Sequence, residues 1–356
     1  MTEQLRYGWT TGACATAATT AAYTALLTGA FPDPVEVRLP KERRPSFALA
    51  TERLGDGEAS AGVIKDAGDD PDVTHGALVI ATVRPGQAGS GVTFRAGAGV
   101  GTVTLPGLPL DVGEAAVNPV PRRLMTEAVQ RVAAEHGGGA DLVVEIGVDG
   151  GEEMARHTWN PRLGIVGGLS ILGTTGVVVP YSCSAWIDSI RRGVDVARAL
   201  GLEHVAGAVG STSERVAKEM YDLPDEALLD MGDFAGAVLK YLRKNPVPRL
   251  TLSGGFAKLS KLAAGHLDLH SKRSQVDLAL LADIAERAGR GELVATIDGA
   301  NTALHALELA REAGLELGDL VAERAREQAA EVLGDAPVHV DVVAIDRAGT
   351  IVGRSG

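Results

Sequence analysis

A dense group of basic side chains lies in the last third of the chain. Within sixteen residues it comprises Lys258, Lys261, His266, His270, Lys272 and Arg273, against the single acid Asp268. The chain as a whole carries a formal net charge of −12, so this local excess of positive charge stands out. Ammonium and guanidinium groups bind carboxylates through charge-assisted hydrogen bonds. The group indicates either a site for an anionic ligand or a solvated helix face, and the sequence leaves both open. Arg122 and Arg123 form a second basic candidate.

A second feature is a run of glycines with hydroxyl side chains nearby. The glycines are Gly164, Gly167, Gly168, Gly173 and Gly176. Glycine loses more conformational freedom on ordering than any other residue, so such a run is costly unless it has a purpose. One interpretation is a loop whose backbone approaches a ligand, with Ser170, Thr174 and Thr175 as donors. The other is tight packing at a domain junction.

Carboxylates and imidazoles supply candidates for proton transfer. Asp70, Asp72, His75 and His270 could each act as a general base. The run Asp69-Asp70-Pro71-Asp72 is also typical of a turn, which leaves a purely structural interpretation open.

The spacing His266-x-Asp268-x-His270 raises the possibility of a metal site. Histidines four residues apart share a helix face, but Asp268 would lie on another face. We therefore expect no metal bound by the protein itself.

Composition excludes several functional classes. The negative net charge opposes binding to nucleic acid or anionic membranes, and aromatic residues make up only 4% of the chain, too few for base-stacking surfaces. The uncharged runs Tyr7–Pro32 and Leu163–Ile187 are too rich in Gly, Ser and Thr for a membrane span. Two cysteines, Cys14 and Cys183, form no disulfide framework. These features predict a cytoplasmic protein with no nucleic-acid or membrane partner.

Common catalytic signatures are absent. The chain has no Gly-x4-Gly-Lys-Ser/Thr, no Gly-x-Ser-x-Gly and no Gly-x-Gly-x-x-Gly. The last absence disfavours a dehydrogenase. Val143–Gly151 is similar to the acidic, glycine-rich first motif of common methyltransferases, which a long helix must follow. Asn160-Pro161 leaves room for two helical turns at most, so a strand and a turn are the favoured interpretation.

The predicted secondary structure differs between the early and the late part of the chain. Early segments alternate in polarity and are punctuated by Gly, Pro and Asp, which predicts antiparallel hairpins between the helices Ala13–Thr28 and Pro121–His136. Later segments alternate strand with helix, which predicts a parallel sheet. We expect an α/β protein with an α+β domain of mostly antiparallel strands over 1–165. A Rossmann-like α/β domain should cover 166–335, with a carboxy-terminal strand and tail over 336–356.

Motifs along the whole chain resemble those of the cobalt-precorrin-5B C(1)-methyltransferase (CbiD) family. The most specific are Asn160–Gly168, which reads NPRLGIVGG, and Ser170–Gly176, which reads SILGTTG. The others are Tyr7–Ala15, Asp69–Ala77, Gly99–Leu108, Ala116–Arg122, Lys258, Lys261–Ala263 and His270–Ser271. Gly254–Ala257 and Asp268-Leu269 depart from the usual family pattern around the last motif.

The resemblance implies methylation of carbon 1 of cobalt-precorrin-5B to cobalt-precorrin-6A in the anaerobic cobalamin pathway, with S-adenosylmethionine as the methyl donor. It also implies a cobalt-corrin precursor as partner, and other enzymes of the pathway are further candidate partners. The alternative is a non-catalytic tetrapyrrole- or nucleotide-binding protein on the same fold.

The residues predicted for the site fall into three groups. The catalytic candidates are Asp72, Asp70 and His270. For cofactor binding we expect Gly173, Thr174, Thr175, Gly176, Gly210 and Ser211, because small residues between a strand and a helix suit a nucleotide. Asp230 or Asp233 is a candidate ligand of the ribose hydroxyls. For substrate binding we expect Thr10, Thr11, Arg122, Lys258, Lys261, Ser271 and Arg273, because the acceptor is a polycarboxylate.

Overall fold

A computed structural model describes residues 5–356, and the chain divides into two units after Cys183. Both units combine helices with strands, so the expected mixed α/β class is confirmed. Within the described residues, no helix is both long enough and apolar enough to cross a bilayer.

The amino-terminal unit is built from three helices and short strands. The helices are α1 (Thr11–Thr28), α2 (Pro119–His136) and α3 (Gly151–Ala155). The strands are β1 (Gly8–Trp9), β2 (Val35–Glu36), β3 (Ser46–Phe47), β4 (Thr51–Gly55), β5 (Glu58–Ile64), β6 (Leu78–Pro85), β7 (Val92–Ala96), β8 (Thr102–Val103), β9 (Leu142–Val148), β10 (Ile165–Val166) and β11 (Val177–Val178). The helix α3 has only five residues, which excludes the long helix that a common methyltransferase motif needs after β9.

The main sheet of this unit has the order β4-β5-β6-β9-β7. Its first four strands pair antiparallel, as the alternating pattern predicts. Strand β7 instead runs parallel to β9. The chain passes through helix α2 between these two strands, and a crossover of this kind is what a parallel pair requires.

Helix α1 is buried on nearly all sides and consists mainly of alanine and threonine. The Thr10 side chain accepts a hydrogen bond from the Ala13 amide, and Gly29 ends the helix in a left-handed conformation. The hydroxyls of Thr16 and Thr20 donate to carbonyls four residues earlier, so burial leaves them satisfied. The sequence prediction of a helix that ends at Thr28 is confirmed.

The first and last strands of this unit pair with each other. Strand β1 runs antiparallel to β11, with Gly8 opposite Val178. A Cβ at Gly8 would lie 2.0 Å from the carbonyl carbon of Ala67. Only glycine therefore lets β1 pass between β11 and the loop that follows β5.

The carboxy-terminal unit alternates strands and helices. Its strands are β12 (His204–Ala208), β13 (Leu228–Asp230), β14 (Arg249–Gly255), β15 (His339–Ile345) and β16 (Ile351–Ser355). Its helices are α4 (Ser184–Ala199), α5 (Ser211–Tyr221), α6 (Ala235–Leu242), α7 (Phe256–Ala263), α8 (Leu278–Arg287), α9 (Val294–Asp298), α10 (Ala303–Glu312) and α11 (Leu317–Leu333).

The sheet of this unit has the order β13-β12-β14-β15-β16. Its first four strands are parallel and β16 is antiparallel to β15. Strand β16 was not predicted, because Gly353 interrupts the alternation of a short segment. A Cβ at Gly318, at the start of α11, would lie 1.7 Å from the Val352 carbonyl oxygen. The glycines at this point let the helix backbone lie directly on the strand.

Candidate functional site

The loop Gly173–Gly176, called the glycine loop below, packs on the amino end of α1. The Thr10 amide donates to the Gly176 carbonyl at 3.1 Å, and the Gly12 amide donates to the Leu172 carbonyl at 2.9 Å. The Thr11 hydroxyl lies 3.3 Å from the same carbonyl of Leu172. The structure thus brings together two predicted groups, the threonines of the opening motif and the glycine loop.

Packing accounts for both glycines of this loop. Gly173 and Gly176 have φ angles of +133° and +77°, conformations that other residues adopt only with strain. A Cβ on Gly173 would lie 2.3 Å from the Thr10 hydroxyl oxygen, and one on Gly176 would lie 2.8 Å from Leu39. Of the two side chains between them, Thr174 is exposed, so it is the one available to a ligand.

A buried ion pair organises the loop after β5, and the sequence analysis missed one of its members. The Lys65 side chain is only 1% exposed, and its ammonium lies 2.5 Å from the Asp72 carboxylate. The Thr74 amide and hydroxyl both donate to the other carboxylate oxygen, at 2.8 and 2.6 Å. The alternation of β5 places Lys65 on the same buried face as Val63, which is the signal that could have identified it.

This environment changes the chemistry expected of Asp72. Burial alone raises the pKa of its carboxyl, but the charge of Lys65 and the hydrogen bonds from Lys65 and Thr74 together lower it below the ordinary value. A carboxylate with a lowered pKa is a weak proton acceptor near neutral pH. The geometry therefore supports a positioning role for Asp72 more than that of a base.

The neighbouring candidates Asp70 and His75 also accept hydrogen bonds from backbone amides. The Asp70 carboxylate accepts a hydrogen bond from the Tyr181 amide at 2.8 Å, which ties the loop to the segment after β11. His75 accepts from the Ala67 amide through Nδ1 at 3.1 Å. Each bond is a structural function that turn chemistry predicts.

Arg122 is held by groups of its own unit. Its guanidinium lies 3.0 Å from the Glu114 carboxylate and donates to the carbonyls of Val117 and Ala115. Its Cζ also lies 5.5 Å from the centre of the Phe94 ring. Arg123, in contrast, is exposed and lies 3.7 Å from Glu127.

In the carboxy-terminal unit, two strand-to-helix turns lie side by side. Strand β12 leads into α5 through Gly210 and Ser211, and β14 leads into α7 through Gly255. The two strands are adjacent, yet β12 connects onward to one side of the sheet and β14 to the other. In open parallel sheets, ligands bind in the crevice at such a switch point. A Cβ at Gly210 or Gly255 would meet no atom within 4 Å, so the crevice is open at both turns.

Lys258 and Lys261, of the basic group in the last third of the chain, also have partners within the protein. The ammonium groups of Lys258 and Lys261 each lie 3.0 Å from the Leu269 carbonyl oxygen. Lys258 also forms an ion pair with Asp233. Lys261 is only 5% exposed, and burial together with the charge of Lys258 lowers its pKa. The two lysines thus fasten the segment around Leu269 to the turn after β13.

The remaining members of that group lie at the surface. His270, Ser271 and Arg273 are exposed. Asp268 lies 2.8 Å from the Arg273 guanidinium and accepts from the His270 amide at 3.1 Å. Arg273 and His266 line an open depression of about 630 Å³, together with Ser274, Gln275, Val276, Asp277, Leu278, Ala279 and Asp298. In the part of the chain that the structure describes, no three His, Cys, Asp or Glu side chains converge as metal ligands would.

Comparison with known proteins adds independent information. Residues 1–180 match a family model described as "CbiD", and residues 268–356 match one described as "CbiD, C-terminal domain". A protein of Brucella anthropi named cobalt-precorrin-5B C(1)-methyltransferase is 63% identical over 352 residues, which cover 99% of this chain and 96% of that protein. A protein of the same name from Paramagnetospirillum magneticum is 61% identical, with 99% and 98% covered.

Among solved structures, the chain is similar to the crystal structure of a cobalamin biosynthesis protein (cbiD) from Archaeoglobus fulgidus. The two are 26% identical in sequence, with a TM-score of 0.40. The match covers 80% of this chain and 85% of that one.

Proposed function

The chain belongs to the CbiD family, and from that membership we propose that it transfers a methyl group to carbon 1 of cobalt-precorrin-5B, giving cobalt-precorrin-6A in cobalamin biosynthesis. The observation that carries this proposal is the identity of 61–63% to curated methyltransferases over 99% of the chain. Similarity over the whole chain supports a shared activity more strongly than a single shared motif would.

The methyl donor is S-adenosylmethionine, bound in the crevice between β12 and β14 of the carboxy-terminal unit. Support comes from the parallel order of the strands, the switch of connection at this point and the open turns at Gly210 and Gly255. On this proposal the unit is the Rossmann-like half of the protein, and Asp230 or Asp233 holds the ribose. The predicted domain limits of 165 and 335, and the cofactor contacts of Gly173–Gly176, stay predictions.

The reaction is a displacement in which a ring carbon attacks the sulfonium methyl. The new C–C bond forms as the S–C bond breaks, and the electron pair of the broken bond stays on sulfur as a thioether. No covalent enzyme intermediate is needed, so alignment of donor and acceptor and exclusion of water supply the catalysis. Asp72, held by Lys65 and Thr74, positions its loop, while Asp70 and His270 remain the candidates for moving a proton.

The acceptor carries many carboxylates, which the chain must bind against its own negative charge. Arg273, with Ser271 beside it, is exposed and lines a depression, which supports its proposed contact with substrate. Lys258 and Lys261 would bind the acceptor only by leaving the Leu269 carbonyl and, for Lys258, Asp233. Arg122 would likewise have to leave Glu114. Thr10 and Thr11 are bonded to the segment Leu172–Gly176, so their contribution is to hold that loop in place.

The test of this proposal is direct methyl transfer. We expect the purified protein to move a labelled methyl group from S-adenosylmethionine to cobalt-precorrin-5B, with one methyl per acceptor. Binding of both ligands without transfer would favour the non-catalytic alternative. Failure to bind the acceptor would contradict the proposal.

Filling the crevice should block the cofactor without disturbing the fold. Gly255 has φ −61° and ψ 141°, which any residue adopts, and open space beside it. We expect Gly255→Val to weaken binding of S-adenosylhomocysteine roughly 10-fold or more, a loss of about 1.4 kcal/mol or more. Calorimetry measures the affinity, and the melting temperature should stay unchanged.

The matched control is Gly291→Val. Gly291 also has open space and no left-handed φ, but it begins a short 3-10 helix and does not follow a strand. Its variant should bind the cofactor normally. Equal affinities of the two variants for the cofactor would show that it does not bind in the crevice.

We also place the protein in the cytoplasm, with other cobalamin-pathway enzymes as candidate partners.

Both cysteines are unpaired, and burial raises the pKa of Cys14 to about 12. Such a thiol is inert as a nucleophile at neutral pH.

A further inference from the structure

Trp186, in the first turn of α4, is held in a fixed orientation at the surface of the carboxy-terminal unit. Its ring packs edge-on against Phe234, with the ring centres 6.3 Å apart. The indole N–H donates to the Asp230 carbonyl at 2.9 Å. The residue is nevertheless 41% exposed. A tryptophan that served the core alone would gain stability by burying more of this area.

The indole lies at the carboxyl end of the parallel sheet. Asp230, whose carbonyl accepts the indole N–H, is the last residue of β13 and pairs with Ala208, the last residue of the neighbouring strand β12. The Met231 amide still donates to the Ala208 carbonyl at 2.9 Å. Two residues after Ala208, Gly210 begins the turn that opens the crevice assigned to the methyl donor. Trp186 and this crevice therefore share one end of the sheet.

The turn after β13 fits closely around the indole. Gly232 has a φ of +50°, and a Cβ at this position would lie 3.0 Å from Cζ2 of Trp186. The Gly232 amide donates to the Asp230 carboxylate at 3.1 Å. A carboxylate, an aromatic ring and a glycine turn are thus held together at the end of one strand.

This combination suits a nucleoside. In nucleotide-binding parallel sheets, an acid of this kind accepts hydrogen bonds from the ribose hydroxyls. The base is attached directly to that ribose, and an aromatic side chain with an exposed face is a stacking surface for a base. Asp233, the other ribose candidate, forms an ion pair with Lys258. Asp230, beside the indole, therefore suits the ribose better.

We propose that the adenine ring of the methyl donor stacks on Trp186 while Asp230 holds its ribose, an inference that rests on the proposed function. The donor then extends along the end of the sheet, with its base at β13 and its sulfonium toward the crevice between β12 and β14. The Asp230 carboxylate beside the indole repels a polycarboxylate, so the acceptor is not the ligand of this surface.

The first experiment is a fluorescence titration with adenosine. The chain has three tryptophans, and the other two, Trp9 and Trp159, lie in the amino-terminal unit. Adenine stacked on an indole quenches its emission, so adenosine should quench the wild type. Trp186→Phe should abolish the quenching, whereas the matched control Trp159→Phe should retain it. Both substitutions keep an aromatic ring in place, so we expect both variants to fold.

The second experiment measures affinities by calorimetry. We expect Trp186→Ala to weaken binding of S-adenosylhomocysteine roughly 10-fold or more. Adenosine should lose affinity by the same factor, because it carries the same base, and Trp186→Phe should recover most of the loss. The control Trp159→Ala should bind both ligands normally. Affinity for cobalt-precorrin-5B should not change in any of these variants.

The outcomes separate this inference from the proposed function. Loss of quenching in Trp186→Phe, with weaker adenosine binding by Trp186→Ala, supports the base site even if no methyl transfer is found. Normal affinity of folded Trp186→Ala for adenosine overturns the inference and leaves the methyltransferase proposal intact. Weaker binding of the corrin with unchanged binding of adenosine also overturns it, because the indole would then contact the acceptor. If Trp186→Ala does not fold, undiminished quenching in Trp186→Phe is the result that overturns the inference.

Discussion

Asp72→Asn is expected to lower the free energy of unfolding by about 3–5 kcal/mol, because it leaves the Lys65 ammonium buried without a counter-charge. Lys65 is 1% exposed and Asp72 is 25% exposed, so the lysine cannot recover its lost partner from water. Urea denaturation at pH 7 measures the loss. Turnover should fall too, on the order of 100-fold, since the loop that Asp72 holds carries Asp70.

Acid should reproduce part of this effect in the wild type. The pKa of Asp72 is lowered from its ordinary value of 3.8 in the folded protein. Its contribution to stability is therefore complete above about pH 3.8 and is lost as the pH falls through the folded-state pKa. The difference in stability between wild type and Asp72→Asn should shrink over that window.

Two further variants make the first prediction falsifiable. Asp56→Asn changes an exposed carboxylate in the turn between β4 and β5 and should alter stability by no more than about 0.5 kcal/mol. Lys65→Met combined with Asp72→Asn removes both charges and should recover part of the loss. If Asp72→Asn is no less stable than Asp56→Asn, the ion pair does not organise the loop.

A second large effect is expected at a point where glycine backbones touch. A Cβ at Gly168 would lie 2.3 Å from the carbonyl carbon and oxygen of Gly99, and one at Gly151 would lie 2.3 Å from the same oxygen. The contacted atoms are backbone and cannot rotate away. We expect Gly168→Ala to destabilise the protein by about 3 kcal/mol, the upper end of the usual overpacking range.

The neighbouring glycine provides the control. Gly167 has a φ of +88° but open space around it, so Gly167→Ala adds only conformational strain, about 1–2 kcal/mol. Thermal unfolding compares the stability of the two variants, and Gly168→Ala should have the lower melting temperature. Equal melting temperatures would mean that the segment around Gly168 shifts easily, and the close contact would not be what fixes it.

Regular elements were predicted well because their signals are local. The helix Leu317–Leu333 was predicted with both ends correct, since Gly334 and Pro337 mark its end in the sequence. Helix α9 was missed because its five residues are too few for a helical period to show. Strand β7 pairs parallel with β9 because a helix intervenes, a relation that alternation alone does not reveal.

The site was harder, because partners come from distant positions. The basic group around Lys258 was identified from composition, yet its counter-charge Asp233 precedes it by 25 residues. Lys65 was missed because its partner Asp72 lies seven residues later, in a loop, and only the fold joins the two.

The pairing of β1 with β11 bears on how the chain is made. The amino-terminal unit cannot close until Val177 and Val178 have left the ribosome, although Gly8 and Trp9 emerge among the first residues. At a synthesis rate of about 5–20 residues per second, this wait is on the order of ten seconds. Throughout it, the amides of Thr10 and Gly12 lack the carbonyls that later receive them. Helix α1 packs mainly against α2, β5 and β6, which leave the ribosome before β11, so only its amino end waits for this pairing. The amino end of α1 is therefore completed later than the rest of the helix.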